Sequence, residues 1–121
     1  MKTILIIEDE KLLADLLYKK LTALNYRVYV AEDGEAGYGA IQEIKPDLVL
    51  LDMMLPKKEG MEVLEDIRSN PSIASTPVIV ISNSGQPVEV ERAKELGAVD
   101  WLVKANFDPQ EVIDKVQQYI S

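Results

Sequence analysis

The chain has 121 residues, a formal net charge of −8, no cysteine and no histidine. One domain of this length buries roughly two thirds of its unfolded surface without a disulfide or metal staple, and 47% hydrophobic with 28% charged residues is ordinary globular composition. The missing residue types exclude disulfides, thiolate and imidazole metal sites, catalytic triads and a phosphohistidine, while the acidic balance argues against direct nucleic-acid binding.

Ile4-Leu5-Ile6-Ile7 is an unbroken apolar run that stops at Glu8-Asp9-Glu10. Continuous rather than alternating hydrophobicity predicts a strand covered on both faces. The run is too short for a signal peptide or a membrane span, so a cytoplasmic location with no membrane partner is expected. Leu12, Leu13, Leu16, Leu17, Leu21 and Leu24 follow as one apolar stripe at helical spacing, with Asp9 as its N-cap and Asn25 closing it. Arg27 to Ala31 reads as a second strand. Asp33-Gly34 is a turn and cap signal before a helix over 35–44, weakened by Gly37 and Gly39 and ended by Pro46.

Leu48-Val49-Leu50-Leu51 is the most apolar run and stops at Asp52. A loop over 53–60 leads to a helix carrying Met61, Val63, Leu64 and Ile67, with Pro71 just beyond. A fourth buried strand, Pro77 to Ile81, ends at Ser82; Pro87 opens a helix that Gly97 closes. Val99 to Val103 is a fifth strand ending at Lys104, and Asp108-Pro109 opens a last helix with Val112, Ile113, Val116 and Ile120 on one face. Five strands alternating with five helices predict an α/β domain over 1–121, with a parallel sheet, right-handed crossovers and helices on both faces.

In such a sheet, ligands sit beyond the carboxyl ends of the strands. The residues there are Glu8 and Asp9, Asp52, Ser82 and Lys104. If the first and third strands are neighbours, Glu8, Asp9 and Asp52 converge in one acidic pocket. Crowded carboxylates repel unless a cation joins them, and an all-oxygen donor set selects a hard ion, Mg²⁺ first. Lys104 is expected to add a mobile positive charge and Ser82 a short hydroxyl donor. Cation, ammonium and hydroxyl around one carboxylate make a phosphoryl-transfer site with Asp52 as nucleophile. Singly, each residue has a plainer role: Asp9 as a helix cap, Ser82 as a turn residue, Lys104 as a solvated charge, Asp52 as a loop carboxylate. Their joint placement at one sheet edge carries the functional reading.

These residues bring a family into view. The chain resembles the receiver domain of two-component response regulators over essentially its full length. The matching text is 4–10, then Ala31-Glu32-Asp33-Gly34, Pro46 through Asp52 with Met53-Met54-Leu55-Pro56 and Gly60, Thr76 through Ser82, and Leu96-Gly97-Ala98 through Trp101 and Lys104. The resemblance implies a flavodoxin-like sheet of order 2-1-3-4-5. It implies that Asp52 takes a phosphoryl group from a partner's phosphohistidine, on a sensor histidine kinase or a histidine phosphotransfer protein. Asp9, Asp52 and the backbone carbonyl of Met54 would hold Mg²⁺ directly, and Glu8 through water. Ser82 and Lys104 would clamp the phosphoryl group. Trp101 stands at the aromatic switch position, so the face of the fourth helix, fifth strand and fifth helix would be remodelled for a downstream effector or a phosphorylation-dependent homodimer.

Four positions depart from the pattern: the first acidic position is Glu8, where Asp is the other common choice, Asn83 stands where a small residue is usual, Ala105 where proline is usual, and Trp101 where Tyr or Phe is usual. A cis bond before Ala105 would cost about 3 kcal/mol more than trans, so the family's cis peptide is not expected. The role implied is a switch rather than an enzyme, either as a stand-alone regulator or as the receiver portion of a longer one. A Mg²⁺-dependent aspartyl phosphatase is the enzymatic alternative. It would want a second Asp two residues after the nucleophile, where this chain has Met54.

Overall fold

A computed structural model describes residues 1–83, 85–106 and 108–120; Ser121, the last residue of the expected domain, lies outside the described residues. The apolar runs become strands β1 (Thr3–Ile7), β2 (Arg27–Ala31), β3 (Leu48–Asp52), β4 (Val78–Ser82) and β5 (Asp100–Val103). Between and after them lie helices α1 (Lys11–Ala23), α2 (Gly34–Ile44), α3 (Gly60–Ser69), α4 (Pro87–Glu95) and α5 (Pro109–Ile120). The strands pair in parallel in the order β2-β1-β3-β4-β5. The flavodoxin-like order expected from the resemblance is the order observed.

Burial explains the sequence pattern. Every residue of β3 and β4 is buried, as is β1 from its second residue onward, because helices cover both faces. Successive side chains point to opposite faces of a strand. Leu5, Ile7, Val49, Leu51, Val78 and Val80 therefore pack with Ile41, Val63, Leu64, Ile67 and Ala93 from α2, α3 and α4. Ile4, Ile6, Leu48, Leu50, Ile79 and Ile81 pack with Leu17 and Leu21 of α1 and Val112, Ile113 and Val116 of α5. The two cores are the two sides of one sheet.

Several details differ from the sequence expectation. The N-cap of α1 is Glu10, not Asp9, and its side chain makes no cap hydrogen bond. Asn25 does follow the end of α1, in the left-handed region at φ 68°. The leucine stripe of α1 is broader than the face it buries: Ala14, Leu17 and Leu21 are buried, but Leu12 is 87% exposed and Leu16 40%. At 100° per residue, Leu12 falls on the side opposite the buried trio. A single 3₁₀ turn, Lys104–Asn106, follows β5; one turn is too short for periodicity to reveal. Among the described residues no peptide bond is cis, as expected at Ala105.

No described helix is long and apolar enough to cross a membrane.

Candidate functional site

The sheet register brings the polar strand ends together. Ile7 stands opposite Leu51, Asp52 opposite Ile81, and Ser82 opposite Val103. One step beyond Ile7, Glu8 reaches the level of Asp52. Carboxylate oxygens of Glu8, Asp9 and Asp52 all lie within 4.8 Å of one another. Glu8 and Asp52 are each 3% exposed, whereas Asp9 is exposed at the rim. An open cleft of about 430 Å³ lies over them, walled by Asp9, Glu10, Asp52, Met54, Asn83 and Lys104 among others.

Asp52 is held from two sides. Its Oδ1 accepts the Met54 N–H at 3.2 Å, and its Oδ2 accepts from the Lys104 ammonium at 3.3 Å. The loop behind it depends on two close approaches. A Cβ on Gly60 would stand 2.4 Å from the Asp52 carbonyl oxygen and 2.6 Å from Met53 Cα, so only glycine lets α3 start so near the end of β3. The Gly60 N–H then donates to the Met53 carbonyl at 3.0 Å. Gly34, at the start of α2, donates its N–H to the Pro56 carbonyl at 3.2 Å, and a Cβ there would lie 1.7 Å from the Lys58 carbonyl oxygen. The Asp-x-x-x-Pro-x-x-x-Gly spacing thus reflects a loop clamped between β3, α2 and α3.

Lys104 is not the mobile charge expected from sequence. Its side chain is 10% exposed, and its Nζ sits 3.0 Å from Glu8, 2.7 Å from Glu10 and 3.3 Å from Asp52. Three carboxylates around one ammonium leave it no reason to sample solvent. Burial alone would pull its pKa down, but hydrogen bonds to Glu10 and Glu8 and the charges of Glu8 and Asp52 outweigh it, and the pKa rises. Glu8 shows the converse. Burial pushes its carboxyl up to about 7, with Asp52 adding to the rise and the Glu10 N–H and Lys104 opposing it. Glu8 Oε2 accepts the Glu10 N–H at 3.0 Å. Glu8 Oε1 is buried and 3.0 Å from the ammonium, yet receives no aligned hydrogen bond. An orphaned buried oxygen within an all-oxygen donor set fits a hard divalent cation.

Of the remaining expected residues, Ser82 and Trp101 fall outside the cleft wall, and Met54 and Asn83 are part of it. Ser82 is buried at the end of β4 and, by strand alternation, continues the side of Val78 and Val80. Trp101 is half-buried, opposite Val80, and lines a separate groove of about 270 Å³ with Val90, Ala93 and Ala98. Met54 contributes its backbone N–H to Asp52, while its side chain is 68% exposed. Asn83 lies on the cleft wall, next to the path to Asp52. Glu10 was given no role by the spacing of the motif. The available signal was a third acid directly after the Glu8-Asp9 pair, a counter-charge for a lysine at the carboxyl end of another strand of the same sheet.

A family model described as the response regulator receiver domain matches residues 4–117. The chain belongs to this family. Solved receiver domains share its architecture. Manganese-bound Rcp1 is 31% identical, with 98% of this chain and 91% of that one covered and a TM-score of 0.82. The beryllofluoride-activated receiver domain of RstA from Klebsiella pneumoniae is 27% identical, with 97% of each chain covered and a TM-score of 0.85. The chemotaxis protein CheY4 of Vibrio cholerae shows the same fold, with a TM-score of 0.90 over 99% of each chain, at 24% identity. As a response-regulator receiver domain, the chain is a two-component signalling module. Receiver domains generally bind Mg²⁺ at an acidic pocket, and the acidic cluster of this one is Glu8, Asp9 and Asp52.

Proposed function

We propose that Asp52 is the phosphoacceptor of this receiver domain and that its phosphorylation by a histidine kinase or histidine phosphotransfer protein switches the α4-β5-α5 face. The observation that carries this is a buried carboxylate at the end of β3 with an ammonium 3.3 Å from one oxygen and two further carboxylates within 4.8 Å. Transfer is a displacement at phosphorus. An Asp52 oxygen forms the new P–O bond as the donor's N–P bond breaks, and that bond's electron pair returns to the imidazole nitrogen. Met54 N–H orients the acceptor through Oδ1. Lys104 offers its charge to the phosphoryl oxygens, and Ser82 its hydroxyl. A cation held by Asp9, Asp52 and the Met54 carbonyl, with Glu8 acting through water, would neutralise charge on the transferring group; Mg²⁺ is the expected ion.

The chain works as a switch rather than a turnover enzyme. Self-phosphotransfer and hydrolysis of the acyl phosphate are its intrinsic chemistry. The absence of histidine fits a donor outside the chain. Trp101, which lines a groove with α4 residues, would serve as the aromatic switch, and a downstream effector or a second phosphorylated copy would read that face in the cytoplasm.

The test is incubation with Mg²⁺ and a small phosphodonor followed by intact mass spectrometry. One added phosphoryl group is expected for the native chain and none for Asp52→Asn. An unchanged mass under several donors would refute the proposal.

A further inference from the structure

The side chain of Glu10 serves neither the helix it precedes nor the acidic cluster. It occupies the N-cap of α1 without a side-chain cap hydrogen bond. Its backbone does that work, its carbonyl accepting the Ala14 N–H at 3.0 Å and its own N–H donating to Glu8. The three clustered carboxylates are Glu8, Asp9 and Asp52. Glu10 Oε2 instead accepts from Lys104 at 2.7 Å, the shortest of the ammonium's three ionic contacts. The Lys104 side chain is 10% exposed and that of Glu10 is 61% exposed. The tightest hold on a buried cation therefore comes from the most solvated carboxylate around it.

We propose that Glu10 is a positioning residue that restrains Lys104 in the resting protein and competes with the incoming phosphoryl group for it. This rests on Asp52 being the phosphoacceptor. An ammonium has three N–H donors, and in this structure they are shared among Glu8, Glu10 and Asp52. A phosphoryl group on Asp52 that draws on Lys104 must displace a present partner. Glu8 is 3% exposed, and releasing it would leave a buried carboxylate without its counter-charge. Glu10 returns to water at little cost. It is thus the partner that yields, and its negative charge next to the phosphoryl oxygens drives the exchange to completion. The strength of this latch sets how readily the site accepts a phosphoryl group.

Calorimetric titration of beryllofluoride in saturating Mg²⁺ tests the latch in the full chain, Glu10→Gln, Lys104→Met and the double variant. At low ionic strength Glu10→Gln should bind beryllofluoride about 2- to 5-fold more tightly, the range an exposed ion pair supports. In the Lys104→Met background the same substitution should change affinity by less than about 1.5-fold, since no contact remains to break. Equal affinity of Glu10→Gln and the native chain overturns the proposal. Equal tightening in both backgrounds also overturns it, since that is general repulsion of the anion. A crystal structure of the native Mg²⁺–beryllofluoride complex gives a reading independent of any variant. The Lys104–Glu10 separation should there exceed about 4 Å, the ion-pair limit, and a retained contact sinks the latch. If the native chain binds no beryllofluoride, the Asp52 reading fails and the latch falls with it; native binding without the Glu10 effect removes the latch alone.

Discussion

Glu8 makes the stability of the cation-free protein depend on pH in a direction unusual for a carboxylate. Its folded pKa is raised, from 4.5 to about 7, chiefly by burial. The folded state therefore holds a proton that the unfolded chain releases. Stability from this group is fully present below pH 4.5 and is lost as pH rises through about 7. A change of that size corresponds to ~3 kcal/mol at ~1.4 kcal/mol per pH unit. Urea unfolding in a chelator, followed by far-ultraviolet circular dichroism between pH 5 and pH 8, measures it. Glu8→Gln keeps the shape and removes the titration, so the difference between native and variant isolates Glu8 from the other acids. Native stability should fall relative to the variant by on the order of 1–3 kcal/mol across that window. A difference that stays flat, or that rises with pH, would refute the account of Glu8 as a carboxylate desolvated beside Asp52.

Three further outcomes are expected. Mg²⁺ at about 100 times its dissociation constant should stabilise the native chain by ~2.7 kcal/mol in thermal melts and do markedly less for Asp9→Asn; equal stabilisation of both would remove Asp9 from the cation site. Gly39→Ala, in a helix with nothing within 4 Å of the new Cβ, should raise stability by ~0.5–1 kcal/mol, while Gly60→Ala, with backbone atoms of Asp52 and Met53 at 2.4 and 2.6 Å, should cost ~2 kcal/mol or more in urea unfolding. Mg²⁺ with beryllofluoride should change the fluorescence of Trp101, the only tryptophan; a flat signal counts against Trp101 as the switch.

Much of the fold was legible because two-faced burial demands a local pattern. Leu48 to Leu51 and Val78 to Ile81 could only be strands covered on both sides, and both are buried throughout. Cap signals such as Asp33, whose Oδ1 accepts the Ala36 N–H at 2.7 Å, also act within a few residues. The α1 stripe misled because six leucines within 12–24 exceed one buried face. The latch on Lys104 was illegible for another reason: Glu10 and Lys104 are 94 residues apart, and no local pattern couples them.

From the residues alone, the sequence determined which positions end buried strands in polar groups, and so which side chains must stand at the carboxyl edge of the sheet. The strand order entered through the resemblance to receiver domains, because alternation of strands and helices is compatible with more than one order. Only the tertiary structure decided how those side chains pair. It placed Glu8 and Asp52 under one ammonium, left a buried Glu8 oxygen without an aligned donor, and gave the closest contact with Lys104 to the exposed Glu10. Burial and counter-charge, not residue type, turn Lys104 from a solvated lysine into a fixed cation, and both are properties of neighbours that the chain brings together only when it folds.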